Sequence, residues 1–194
     1  MTTIKNISKI YSSCANISLP TPNFHCPTCE KSKSIHVKPN QTHDNATRTF
    51  DLIHTDLSGK FSVPSLSRKF YYITFIDEYT RYAWVKFLQV KSEASQYMVD
   101  FVKFAKTQFD INIKRWRTDN GGEFINETVQ KLFKENGIIH ETSPPYEHER
   151  NGVAERFNRT ITTMARALIT NFGLSLWAEA IATACYLKNR LPHT

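Results

Sequence analysis

The chain has 194 residues, of which 40% are hydrophobic and 12% aromatic, enough for one packed domain with a short appendage and a soluble globular unit. No run of eighteen apolar residues occurs, and the polar stretch from Met1 to Pro20 lacks a signal-type apolar segment, so the expectation is no membrane span and no secretion. The net charge of +7 favours a polyanionic partner, because cations that neutralise phosphates release counterions and gain affinity whatever the base sequence.

Residues 1–24 show no stable periodicity. Between residues 1 and 50, Lys5, Lys9, Lys31, Lys33, Lys38 and Arg48 face two acids, Glu30 and Asp44, so that +4 of the +7 lies there. This basic arm reads either as a DNA contact or as a merely solvated segment. Of Cys14, Cys26, Cys29 and Cys185, two are paired by spacing, Cys26 and Cys29, and the set does not read as a disulfide framework. Residues 34–49, with Pro39, Asn40, Asp44 and Asn45, read as a linker, and the compact domain is expected from residue 50 to 194.

Three β-rich runs follow, Leu52 to Leu57, Phe70 to Ile76 and Tyr82 to Leu88, the last two joined by a turn that Asp77 shapes. Ser92 to Gln108 places Met98, Phe101, Val102 and Ala105 at helical spacing. Ile111 to Arg117 reads as a fourth strand. A helix from Asn126 to Asn136 is stopped by Gly137, with Glu123 expected in its N-terminal turn, and Ile138 to Glu141 reads as a fifth strand. After a loop to Arg150, helices are expected from Gly152 to Ile169 and from Leu174 to Asn189. Three strands, helix, strand, helix, strand and further helices is the element order of a ribonuclease H-like α/β fold, a five-stranded mixed sheet flanked by helices.

Three acids stand in separate motifs. Asp56 lies in His54-Thr55-Asp56-Leu57-Ser58-Gly59, Asp119 in Arg117-Thr118-Asp119-Asn120-Gly121-Gly122-Glu123-Phe124, and Glu155 in Asn151-Gly152-Val153-Ala154-Glu155-Arg156-Phe157-Asn158-Arg159, with 35 residues between the second and the third. Any one of them alone reads as a solvated charge or a turn residue. On the helix expected from Gly152 to Ile169, Arg159 falls one turn beyond Glu155 and Arg166 three turns beyond, on one face, either to meet phosphates or, for Arg159, to pair with Glu155.

In their order and spacing the three blocks resemble the catalytic core of retroviral and retrotransposon integrases. Pro144-Pro145-Tyr146 and Leu187-Lys188-Asn189-Arg190-Leu191-Pro192 make the resemblance most similar to the copia-type (Pseudoviridae) branch, over roughly residues 50–194. The resemblance implies a metal-dependent polynucleotidyl transferase that joins the 3′ ends of element DNA to target DNA. Asp56, Asp119 and Glu155 would hold two Mg²⁺ or Mn²⁺ ions, Asp56 bridging both. It further implies double-stranded DNA as partner, a homo-oligomer on the DNA ends, and location in the nucleus after a stage in cytoplasmic virus-like particles. Arg150, Asn151, Arg156, Arg159 and Arg166 would contact DNA. Arg150 stands where relatives usually carry an amide, which bears on target preference.

Cys26-Pro27-Thr28-Cys29, within residues 1–33, resembles the second half of a His/His/Cys/Cys zinc motif. Relatives place two histidines upstream on a helix; here His25 adjoins Cys26, and His36 and His43 follow in the wrong order. A site truncated on its N-terminal side and binding Zn²⁺ weakly is the expectation. The flanks read as a piece of a longer polyprotein or a degenerate element copy. Two other readings stand beside the integrase: a non-catalytic remnant or domesticated DNA-binding domain, and a repair or resolution nuclease of the same fold, which would lack the block from Asn151 to Arg156.

Overall fold

A computed structural model of the chain describes residues 46–142 and 151–191. The chain divides into two units, Met1–His43 and Asp44–Thr194, and every described element belongs to the second. Cys26, Cys29, Arg150 and the basic arm up to residue 45 lie outside the described residues; Arg48, the last cation of that arm, is described and pairs with Asp51 at 2.9 Å.

Strands β1 (Leu52–Gly59), β2 (Tyr71–Asp77) and β3 (Ala83–Leu88) form an antiparallel meander. Asp77 closes its second hairpin: one carboxylate oxygen accepts from the Thr80 N–H at 2.9 Å and the Thr80 hydroxyl at 2.6 Å, and the other accepts from the Phe50 N–H at 2.8 Å. A single buried acid thus ties the turn to the entry of β1, in the role expected of it.

Helix α1 (Glu93–Phe109) buries Ala94, Met98, Phe101, Val102 and Ala105 and ends at Asp110, whose φ of 52° turns the chain back. The fourth strand, β4, covers Arg115–Thr118 and is shorter than expected. Its partner explains the difference. Strand β1 begins at Leu52, which is in register with Arg115, so residues 111–114 lie ahead of the β1 pairing; Ile113 still buries its side chain, at 2% exposure.

Helix α2 (Glu127–Asn136) is capped by Asn126, whose side-chain oxygen accepts from the Val129 N–H at 3.1 Å, and is closed by Gly137. Glu123 therefore precedes the cap instead of lying in the first helical turn, and its carboxylate sits 3.5 Å from Lys91 Nζ. Strand β5 (Ile139–Thr142), helix α3 (Gly152–Leu168), a 3₁₀ turn (Leu174–Leu176) and helix α4 (Trp177–Lys188) complete the described chain.

The sheet order is β3-β2-β1-β4-β5, with β4 parallel to both β1 and β5. This is the ribonuclease H-like order. Strand alternation divides the core between the two faces. Ile73 and Phe75 of β2 join Met98, Phe101, Trp116 and Phe133 beneath α1 and α2. Tyr72 and Ile76, one residue out of phase, join Ala154, Ile161, Trp177 and Ile181 beneath α3 and α4.

Asn189, just past α4, fastens that second layer to the sheet edge. Its side-chain oxygen accepts from the Ala83 N–H at 2.9 Å while its amide donates to the Ala83 carbonyl at 2.8 Å. The amide thereby satisfies both backbone groups of the first residue of an edge strand, as a neighbouring strand would. Asn189→Ala should lower unfolding free energy by about 1–3 kcal/mol, the cost of leaving partly buried backbone groups unpaired. Urea unfolding should show a lower midpoint with an unchanged slope.

Candidate active site

Asp56 lies mid-way along β1, opposite Thr74 of β2. Alternation sends its neighbour Thr55 to the α1 face, where the Thr55 hydroxyl accepts from Trp116 Nε1 at 2.8 Å, and leaves Asp56 facing α3. The parallel pairing of β1 with β4 matches His54 to Arg117. Two residues further along the same register, Asp119 leaves β4 beside Asp56.

Asp119 also builds the turn that follows it. Its Oδ1 accepts from the Gly121 N–H at 3.0 Å. A Cβ at position 121 would stand 3.0 Å from that oxygen and 2.9 Å from the Glu123 carboxyl carbon, so any larger residue would push one of these two carboxylates aside. The turn reading and the functional reading are therefore compatible.

The third acid, Glu155, sits in the first turn of α3 on its exposed side. The buried side of the helix carries Ala154, Phe157, Asn158, Ile161 and Ala165. Asn158, a polar residue in an otherwise apolar stripe, is 7% exposed. Its amide donates to Asp56 Oδ2 at 2.7 Å, and its oxygen accepts from the Thr74 hydroxyl at 3.1 Å. Two turns earlier, Asn151 donates to the Thr55 carbonyl at 3.0 Å. Two amides on α3 thus grip consecutive residues of β1.

Asn151 is 2% exposed. That burial corrects the expectation that its side chain faces DNA: the amide is spent on the β1 backbone, which a turn-like Asn-Gly sequence did not reveal. Its Oδ1 has no hydrogen-bond partner among the described residues. Arg156, Arg159 and Arg166 are exposed on α3. Arg156 folds back so that its Nη1 lies 3.0 Å from where a Cβ on Gly152 would be.

The electrostatics connect the three acids. Burial raises the Asp56 pKa from 3.8 to about 6; the Asn158 hydrogen bond opposes the rise, and the negative charges of Asp119 and then Glu155 add to it. Both acids are thus close enough to be felt at Asp56. Even so, no group of three or more His, Cys, Asp or Glu side chains is drawn tightly enough to hold a metal ion among the described residues. Like charges spread apart, and an exposed glutamate on a helix has the freedom to do so.

Two residues before Asp56, His54 is fully buried, with Nε2 2.7 Å from Glu78 Oε2 but off the direction of an aligned hydrogen bond. Burial lowers its pKa, and the nearby Glu78 opposes that. Arg117 and Glu141 continue this row of charge across β4 and β5.

The sheet order and helix placement define a ribonuclease H-like domain. The same fold is seen in a cryo-EM structure of a simian T-cell lymphotropic virus intasome in complex with the PP2A regulatory subunit B56 gamma, with a TM-score of 0.64 and 18% identity over 87% of this chain and 59% of that one. Residues 46–148 match the integrase core domain family. The chain belongs to that family, as a retrotransposon integrase core. It is 34% identical to a retrovirus-related Pol polyprotein from transposon TNT 1-94 of Nicotiana tabacum, over 86% of this chain and 13% of the relative. It is 36% identical to the Pol polyprotein of transposon RE1 of Arabidopsis thaliana, over 86% of this chain and 11% of the relative. The chain thus spans a small fraction of these polyproteins. The family is part of the polynucleotidyl transferase superfamily, acts in DNA integration and generally uses divalent metals.

The raised Asp56 pKa has a stability consequence. Below about pH 3.8 the carboxyl is protonated whether the chain is folded or not, and its environment costs nothing. As pH rises toward 6 the unfolded chain loses this proton first, so stability falls, levelling off above the folded pKa of about 6. Asp56→Asn should therefore be more stable than the parent at pH 8 by roughly 2–3 kcal/mol, with the gain vanishing near pH 4. Urea titrations at the two pH values measure this; a gain equal at both would refute the electrostatic origin.

Proposed function

We propose that this chain is the catalytic core of an integrase that joins the 3′-hydroxyl of element DNA to a phosphodiester of target DNA. The observation that carries the reading is the convergence of charge at Asp56: an acid held by Asn158 at the middle of the sheet, with Asp119 and Glu155 pressing on it. Proteins do not gain stability by gathering like charges; a cation among them reverses the sign of every one of these interactions.

The donor set fits a divalent ion. Carboxylate oxygens are the ligands that Mg²⁺ and Mn²⁺ prefer, and Asp56, Asp119 and Glu155 would hold two such ions. Bound there, the ions supply an activated hydroxyl oxygen and neutralise charge on the leaving oxygen and the phosphorus centre. The protein side of the chemistry is positional. Asn158 and Thr74 fix which way the Asp56 carboxylate points, the Gly121 turn fixes Asp119, and α3 offers Glu155 from an exposed face that DNA can reach.

Arg159, one turn beyond Glu155 and exposed, is placed to meet a phosphate near the reacting one, and Arg156 flanks it. Arg150 precedes α3 in the sequence and would influence target choice. Assembly as a homo-oligomer on the DNA ends and action in the nucleus follow from the same reading. If the chain is instead a remnant that binds DNA without chemistry, duplex binding survives and joining never appears.

Replacing any of the three acids by its amide should abolish Mg²⁺-dependent strand transfer, measured with labelled element ends, while circular dichroism stays unchanged. Added Mg²⁺ should raise the melting temperature of the parent by mass action and do so far less in Asp56→Asn. A melting temperature indifferent to Mg²⁺ in both proteins would sink the metal assignment without reference to activity.

Arg159→Ala should weaken binding to every duplex tested. It should also make the log–log dependence of affinity on salt shallower by about one unit, the signature of one lost phosphate contact. An unaltered slope would remove Arg159 from the DNA surface.

A further inference from the structure

The C-terminal half of α3, the start of α4 and the chain just after β1 do not close on one another. They leave a cavity of about 230 Å³ whose wall is mainly apolar, with Phe61, Val63, Ile169, Trp177 and Ile181, and which also takes in the hydroxyls of Ser62 and Thr162 and the guanidinium of Arg166. Its walls are well braced. Trp177 Nε1 donates to the Val63 carbonyl at 3.0 Å, the Phe61 and Trp177 rings stack with centroids 4.1 Å apart, and the Phe61 N–H donates to the Phe70 carbonyl at 2.9 Å. A void with aromatic walls pinned from two sides is part of the fold.

The lining and the segments joined to it expose large apolar side chains. Leu174, which lines the cavity, is 63% exposed, Phe172 is 66% exposed and Leu66 is 64% exposed. The Leu66 N–H donates to the Ser175 carbonyl at 3.1 Å, which holds Leu66 against the 3₁₀ turn carrying Leu174. Single exposed apolar residues are ordinary, whereas a group of them around an apolar cavity marks a contact surface.

Charge and size select the occupant. Among the described lining residues Arg166 carries the sole charge, so a negative group is wanted at the edge and an apolar one inside. The volume falls below the roughly 300 Å³ at which small-molecule sites begin and suits one large side chain. A DNA strand would supply phosphate to Arg166 but nothing for the cavity. A base placed there would set most of its polar edge against Val63, Ile169 and Ile181, with the Ser62 hydroxyl and a Thr162 hydroxyl already paired with Tyr72 as its uncharged side-chain partners, so an apolar side chain fits the wall better.

We infer that this cavity is a docking site for an acidic peptide segment of a partner protein, which inserts a leucine or phenylalanine side chain between α3 and α4 and pairs an adjacent aspartate or glutamate with Arg166. The site lies toward the far end of α3 from Glu155. A partner seated there holds the chain by its flank and leaves the acids at Asp56 open. The arrangement is that of a small hot spot, an apolar anchor with a charged rim.

Fluorescence anisotropy with the full chain tests this, using two labelled short peptides with the same Leu-Phe centre, one flanked by aspartates and the other by lysines, and a labelled DNA duplex. The aspartate peptide should bind at least about tenfold more tightly than the lysine peptide. Leu174→Asp should abolish its binding while leaving duplex binding and strand transfer as they are. Arg166→Glu should invert the preference, so that the lysine peptide now binds better, an outcome that loss of packing alone cannot produce. Equal binding of the two peptides, no binding of the aspartate peptide, or an Arg166→Glu effect confined to the duplex would each overturn the inference, the last in favour of a nucleic-acid contact.

Discussion

The amide of Asn158 holds together the two halves of the molecule on which everything else depends. It donates to Asp56 on β1 and accepts from Thr74 on β2, so one side chain fixes the height of α3 over the sheet and the direction of the central carboxylate. A hydrogen bond to an ionised acceptor is worth about 1.5–3 kcal/mol, and here it opposes the burial that pushes the Asp56 pKa upward. Fold and site are coupled at this contact. The helix cannot tilt away without exposing Asp56, and the helix that buries Asp56 also supplies the hydrogen bond that offsets part of the cost of ionising it.

The same contact explains how three acids far apart in the chain come to share one field. Strand alternation sends Asp56 to the α3 face, the parallel β1–β4 register carries Asp119 to the same end of the sheet, and helical periodicity sets Glu155 at the edge of the buried stripe that contains Asn158. Each rule is local. Their intersection is a place where negative charge accumulates against a partly buried surface, which is what divalent cations can relieve.

Much of this was legible in the residues alone, and the reasons differ by element. The strands and helices showed because their apolar spacing is strong, and Asp77 showed as the hairpin acid because turns leave local signatures. The start of β4 did not show, since it is set by where the chain of β1 begins more than sixty positions earlier in the chain. Asn151 was misread because a polar residue before a glycine looks the same whether it faces solvent or a backbone carbonyl. Asn158 was overlooked although its signal was present: an amide at a core position between Ala154, Phe157 and Ile161 has to find a buried partner. The roles of Asp56, Asp119 and Glu155 rested on motif order, which geometry by itself does not supply.

Helix α3 carries different tasks along its length. Its first turns face Asp56 and present Glu155, Arg156 and Arg159; its middle bonds to the sheet through Thr162, whose hydroxyl lies 3.0 Å from the Tyr72 hydroxyl; its last turns border the cavity beside Trp177 and Arg166. Tight packing in the middle is what allows the ends to differ. Ile161 and Ala165 are buried with the α4 layer, so the middle of the helix is anchored between the turn that carries Glu155 and the turns that border the cavity.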